Sequence, residues 1–356
     1  MKKILLGIVA VALIGLGAYN ILDKNDIAPA DGKPIVKIGV IAPLSGDNAV
    51  MGQTFKDGID FFKIRYPEKH DYEVIYKDDQ LNSAKTALAA NKLIKMDKVS
   101  AILTYASQPG NIVAPLIQDT GIIHVSNASD TTFTKYDNNY AFTTSYMEDA
   151  NTLLEEIKRK GYRKIAMISA NEAFANLVEK SIKEQVGNFD LELVFDAKFN
   201  VSTKDFRLIF RQAEEKQPDI YILQSWPPEI DILVKQLKEM DKNKPFTSMF
   251  APFFSENLTL YEGGFYIAID VIDSDFEKKF YEHYQREPEI MASFGYGMLE
   301  TALDIVTTNK SADIDIKEII RQNESIFGKR ELKDKVISYK SVIRGFHNGK
   351  MVKIGE

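Results

Sequence analysis

A chain of 356 residues, 45% hydrophobic and 27% charged, is long enough for two domains of ordinary size, each with its own buried core. Its formal net charge of -6, with lysines interleaved among acids, leaves no basic patch for nucleic acid. The absence of cysteine excludes disulfides, thiol catalysis, cysteine metal sites and the lipid attachment of a lipoprotein.

At the N-terminus Lys2 and Lys3 precede an apolar run from Ile4 to Leu16, softened by Gly17, Ala18, Tyr19 and Asn20. That layout is a secretory signal. Counted on to Leu22, the run also reaches the length that spans a bilayer, so residues 1–22 are either a cleaved signal peptide or an uncleaved anchor formed by residues 4–22. Residues 23–34 read as a polar tether. The remainder is expected in the periplasm or on the outer face of the cytoplasmic membrane.

From there, short β-branched runs at 35–41, 72–76, 100–103 and 122–125 alternate with stretches of helical period. Phe55, Ile59 and Phe62 share one helical face, as do Ala87, Ala90 and Ile94 behind an expected Ser83 cap. After a junction near 142–146 the alternation begins again. Runs at 165–168, 191–195 and 220–223 surround a helix after Phe174, and a further helix is expected over 229–240. Two successive α/β units with parallel strands and crossover helices follow from this order.

In an open α/β sheet, ligands bind beyond the carboxyl ends of the strands. The segments in that position are Pro43-Leu44-Ser45-Gly46, with Met51-Gly52 before the next helix, then the run from Thr104 to Pro109, then Ser126-Asn127-Ala128-Ser129-Asp130. They combine small hydroxylic residues with helix starts, whose spare N–H groups and positive dipole ends suit a carboxylate or another polar acceptor. The same residue types also serve as plain helix caps.

Catalytic signatures are missing: the sequence has no G-x-G-x-x-G, no P-loop, no G-x-S-x-G elbow and no H-E-x-x-H. His70, His124, His283 and His347 are dispersed, and His124, inside a strand, reads as a structural histidine. Asp78 and Asp79 are adjacent on a strand and face opposite ways, which prevents them from sharing a substrate. Acids and histidines do not cluster at metal-ligand spacing. Binding without turnover, cofactor or metal is therefore expected.

Five strings bear a resemblance: KIGVIAPLSGDNAVMGQ, YKDDQLNSAKTALAANKLI, SQPGNIVAPLIQDTGIIHVSNAS, RKIAMISANEAFA and DIYILQSWPPEIDILVKQLKEM. In this order they resemble the leucine/isoleucine/valine-binding protein family of type I periplasmic binding proteins. The resemblance implies two Rossmann-like lobes joined by three crossing strands, closing by a hinge motion on a solute in the interlobe cleft. It places residues 36–144 plus 270–327 in lobe I and residues 145–269 plus 328–356 in lobe II, with a hairpin over 336–354.

The resemblance also assigns positions. Ser107 matches the serine that holds the ligand carboxylate in amino-acid binders, and Ala128 the alanine whose carbonyl meets the ammonium group. Asp130 replaces a threonine that touches both groups. The position of the ammonium-binding glutamate falls at 250–253, where there is no acid. Met51, Phe174 and Trp226 occupy places where relatives often carry tyrosines around the ligand, and Tyr105, Tyr146 and Phe250 extend that lining.

The implied protein is an extracytoplasmic, monomeric solute-binding protein that serves an ABC permease. Its ligand would be an amino acid, an amide, or an aromatic or branched organic acid. A ligand-sensing module for a membrane signalling partner is the alternative. A hydrolase or reductase on an α/β fold ranks below both.

Overall fold

The computed structural model describes residues 35–67, 71–312 and 315–354. The signal or anchor and the tether expected over residues 1–34 lie outside the described residues, as does His70. Among those described, no helix is long and apolar enough to cross a membrane.

The first half runs β1 (Val36–Ala42), α1 (Ala49–Arg65), β2 (Tyr72–Asp78), α2 (Ser83–Lys92), β3 (Ala101–Tyr105), α3 (Ser107–Val113), β4 (Ile123–Asn127) and β5 (Asn139–Phe142). The second half repeats the plan with α4 (Tyr146–Arg159), β6 (Lys164–Ala170), α5 (Ala173–Gln185), β7 (Glu192–Phe199), α6 (Arg207–Glu214), β8 (Ile220–Gln224), α7 (Glu229–Met240), β9 (Phe246–Met249) and β10 (Phe265–Ile269). Then come α8 (Ser274–Tyr284), α9 (Ile290–Ala312), α10 (Ile316–Gln322), β11 (Arg330–Lys333), β12 (Val336–Tyr339), β13 (Ser341–His347) and β14 (Lys350–Lys353).

Two seven-stranded sheets result, one per lobe, with orders β11-β12-β5-β4-β3-β1-β2 and β14-β13-β10-β9-β8-β6-β7. Pairing is parallel except for the outermost strands: β11 on β12, β13 on β10, and β14 on β13 are antiparallel. Central strands such as β3 and β8 are buried along their whole length, because helices cover both faces. Continuous apolar runs at these positions are the sequence counterpart of that burial.

The chain passes between the lobes three times: after β5, after β10, and at Lys340 between β12 and β13. This corrects one expectation. Residues 330–339 belong to the first sheet, because β12 pairs in parallel with β5 through Val336 to Ala141 and Ile337 to Phe142. The hairpin expected over 336–354 is accordingly split, and only β13 and β14 pair with each other. A smaller correction concerns α2, which is capped by Asn82, whose Oδ1 accepts from the N–H groups of Ala84 and Lys85, and not by Ser83.

Helix α9 packs across α1 with backbone nearly touching backbone. A Cβ added at Gly58 would lie 1.7 Å from the Ala292 carbonyl oxygen, and one at Gly295 would lie 2.0 Å from that of Phe55. Only glycine allows that approach. Its consequence is positional: Met51 lies in the first turn of α1, and Ile290, Met291 and Phe294 in the first turns of α9, so the close crossing fixes two walls of the cleft described next.

Candidate functional site

A cavity of about 610 Å³ lies between the carboxyl ends of the two sheets. Strand ends of both sheets supply its wall. From the first lobe come Tyr105, Ala106 and Ser107 at the end of β3, Asn127, Ala128 and Ser129 at the end of β4, and Tyr339 at the end of β12. From the second come Glu172 and Phe174 after β6, Trp226 after β8, Phe250 after β9, and Ile269 ending β10. Thr143 and Thr144, at the first crossing, and Tyr146 close the floor.

Of the residues singled out from sequence, Ser107, Ala128, Trp226, Phe174, Met51, Tyr105, Tyr146 and Phe250 all line this one cavity. Asp130 does not. Its Oδ1 accepts from the Thr132 N–H at 2.9 Å and its Oδ2 from the Asn111 side chain at 2.9 Å. Partial burial opposes ionisation, but these hydrogen bonds prevail and hold the carboxyl below its ordinary range. Asp130 instead serves the site through its backbone, whose N–H donates to the Ser107 hydroxyl at 3.1 Å. With its oxygen so engaged as acceptor, that hydroxyl keeps its own proton to donate.

Ser107 is the first residue of α3, and Ala106 before it takes φ +70°, in the region that favours glycine. Phe250 adopts φ +60° on the opposite wall. Non-glycine residues held there cost about 1–3 kcal/mol each, and both border the cleft. Under Ser107, the Thr104 hydroxyl joins His124 Nε2 at 2.9 Å and Ser126 Oγ at 2.8 Å. Asn139 donates through its Nδ2 to the Asp137 carbonyl, which leaves its Oδ1 to accept from His124 Nδ1 at 2.6 Å. Burial lowers the His124 pKa to about 4, so the ring is a neutral strut, as the sequence suggested.

The second lobe contributes an aromatic wall. Phe174 and Trp226 stack with centroids 4.3 Å apart and planes 19° from parallel. Phe250 lies 6.3 Å from Phe174, and Tyr146 meets it edge-on at 5.9 Å. Gln224, fully buried at the end of β8, donates to the Met249 carbonyl at 3.0 Å and accepts from its N–H at 3.1 Å. That clamp ties the turn bearing Trp226 to the turn bearing Phe250. Across the cleft stand Met51, Met291, Phe294 and Ile290.

The electrostatics are sparse. Among the described residues no lysine or arginine lines the cavity, and Glu172 is its one acid. Both Glu172 oxygens cap α5, accepting from the N–H groups of Phe174 at 3.2 Å and Ala175 at 2.9 Å. Burial pushes the Tyr105 hydroxyl up to about 12 and raises that of Tyr146, which shares hydrogen bonds with Ser129 and Thr143. Both therefore remain neutral donors. Asp78 and Asp79 lie elsewhere: Asp78 binds the 44–45 turn, while Asp79 accepts from the Leu81 N–H and the Thr86 hydroxyl. Among the described residues no group of three or more acids and histidines is placed to hold a metal.

Sequence reasoning missed Ile290, Met291, Phe294, Glu172 and Tyr339. For Tyr339 the signal was the strand-end rule itself, hidden because the strand was assigned to the other sheet. For Ile290 to Phe294 it was an apolar helix start indistinguishable from core.

A family model described as "Periplasmic binding protein" matches residues 35–322. The chain belongs to the periplasmic binding protein family. Among curated relatives of this periplasmic binding protein is the Leu/Ile/Val-binding protein homolog 6 of Brucella abortus (strain 2308), 25% identical over 224 residues, or 60% of this chain and 54% of that one. The chain thus spans about half the length of the curated relative it matches.

Solved structures show the same fold. The branched-chain amino acid transporter substrate-binding protein of Streptococcus pneumoniae, in complex with isoleucine, superposes with a TM-score of 0.72 at 19% identity, covering 89% of this chain and 97% of that one. The solute-binding protein of an ABC transporter from Rhodopseudomonas palustris BisB5, in complex with 3,4-dihydroxybenzoic acid, gives 0.71 at 18% identity, covering 90% and 96%. The family and the fold are those of solute-binding proteins.

Proposed function

We propose that this protein is an extracytoplasmic receptor of an ABC transporter, which holds a small organic acid with a flat or branched apolar body between its lobes and presents it to a permease. The observation that carries the reading is the composition of the cleft: one polar corner around Ser107 facing a wall built on the stacked Phe174–Trp226 pair.

A carboxylate at that corner would accept hydrogen bonds from the Ser107 hydroxyl and from spare backbone N–H groups beside it. An apolar body would then lie against Trp226, Phe174 and Phe250, with Met51 and Met291 opposite. Such a lining, apolar with a few convergent polar groups, is the usual form of a small-molecule site. An α-ammonium group would meet only the Ala128 carbonyl and a Glu172 carboxylate already engaged as a helix cap. Asp130 is turned away, Glu172 caps a helix, and position 250 is phenylalanine. The isoleucine of one structural neighbour and the dihydroxybenzoic acid of another bracket the choice, and the lack of an acid free of capping duty favours the second class.

Trp226 is the chain's single tryptophan, so its fluorescence reports the cleft directly. The test is a titration of the purified protein with benzoate, 4-hydroxybenzoate and branched carboxylates, set beside leucine, isoleucine and their amides. Saturation by the carboxylates alone supports the assignment. Saturation by leucine or isoleucine alone returns the site to the amino-acid class, and silence throughout refutes the ligand class as a whole.

A further inference from the structure

The three crossings carry a polar cluster whose chemistry the solute-binding reading does not use. Asp149, in the first turn of α4, is 3% exposed, and its Oδ2 lies buried without a hydrogen bond of ordinary geometry. The hydroxyls of Ser341 and Tyr339 are buried and unpartnered in the same sense. These groups come from both sides of the hinge: Tyr339 ends β12 in the first sheet, Ser341 begins β13 in the second, and Thr144 lies on the first crossing.

Among the described residues no basic group pairs with the acid. The charge acting on Asp149 is Glu148, its own neighbour and of the same sign. At the next crossing Asp270 already pairs with Arg344 at 3.1 Å and Lys353 at 3.0 Å, and Lys340 is exposed. Glu172, at the head of α5, acts on Tyr146. An ionised carboxylate left without water or a cation is costly, so charge here demands either a proton or solvent.

We propose that Asp149 is a proton-operated latch of the hinge: neutral, it keeps the lobes in the arrangement described here, and ionised, it draws water between the crossings and turns one lobe against the other. Burial raises its pKa to about 7, against the weaker pull of the Thr144 and Ser341 hydroxyls toward the charged form. The switch therefore operates near neutral pH. Because the proton is held more tightly in this arrangement, rising pH disfavours it, and the effect is complete once Asp149 is fully ionised. Solute capture, which depends on the same lobe rotation, becomes coupled to external pH.

The test needs no solute, so its failure is distinct from failure of the proposed ligand class. The chain lacks cysteine, and Leu88 in lobe I and Leu208 in lobe II are 72% and 60% exposed. Spin labels on the Leu88→Cys/Leu208→Cys protein report the interlobe distance. Between about pH 5.5 and about pH 8.5 the distance distribution is expected to shift in one single-proton step. Adding Asp149→Asn, which imitates the neutral acid, should hold the low-pH distribution throughout. Ser341→Ala, a milder change that removes a hydroxyl favouring the anion, should move the midpoint to higher pH. Distances that ignore pH, a shift that persists with asparagine at 149, or a midpoint that Ser341→Ala leaves in place or lowers would overturn the proposal.

Discussion

Replacing Gly58 by alanine tests the link between packing and cleft most directly. The added methyl would stand 1.7 Å from the Ala292 carbonyl oxygen and 2.5 Å from its carbonyl carbon. Both obstacles are backbone, so no side chain can rotate aside. Restoring even a 3.0 Å separation requires α9 to retreat from α1 by about 1.3 Å, since the neighbouring Gly295 contact allows no pivot in place.

Overpacking of this kind costs about 1–3 kcal/mol, and at roughly 2–4 °C per kcal/mol for a chain of this order the melting temperature should fall by roughly 2–12 °C. The displacement should also be felt in the cleft, because Met291 and Phe294 ride on the first turns of α9. Thermal unfolding followed by circular dichroism gives the first number, and Trp226 fluorescence titration with a solute that binds the wild type gives the second. A variant with unchanged melting temperature would refute the backbone-on-backbone crossing. A variant that melts earlier yet binds unchanged would refute its role in setting the cleft.

Two further outcomes follow from the site. Ser107→Ala, which removes a donor to the proposed carboxylate, should weaken solute binding by about 1–3 kcal/mol in calorimetry, and undiminished affinity would reject that corner as the anchor. Asp130→Ala should lower the melting temperature by releasing Thr132 and Asn111 while affecting affinity less than Ser107→Ala does. The opposite ranking would return Asp130 to the ligand shell.

The Asp78 carboxylate, despite some burial, is held below its ordinary range by the Ser45 hydroxyl and by the N–H groups of Gln80, Leu44 and Ser45. A depressed carboxyl stabilises above its unfolded pKa of about 4 and loses that contribution as pH falls through its folded value. The gap in melting temperature between wild type and Asp78→Asn should therefore narrow from neutral pH toward about pH 3. A gap constant over that range would remove Asp78 from the acid response.

How far the sequence could be read depended on whether the deciding interaction was local. Strands such as β3 and β8 are buried on both faces, so their composition alone announces them, and the strand-end rule then locates Ser107, Ala128 and Trp226 without further help. β11 was invisible because Arg-Glu-Leu-Lys at a sheet edge carries no apolar run. β12 was visible as a strand, but its membership turns on pairing with residues some two hundred positions away, which no local pattern encodes. Asp130 shows a related limit: in sequence, a carboxylate that accepts from Thr132 and Asn111 looks like one that awaits a ligand.

The single-residue passage at Lys340 bears on how the protein is made. The strands on either side of it, β12 and β13, border the central strands of different sheets. A chain emerging from the ribosome therefore completes neither lobe in turn, although each lobe's first five strands are consecutive. Both sheets wait for residues 330–353, and the two lobes acquire their last strands within the same short interval of synthesis. Order of assembly, like the hinge itself, is written into where one residue crosses.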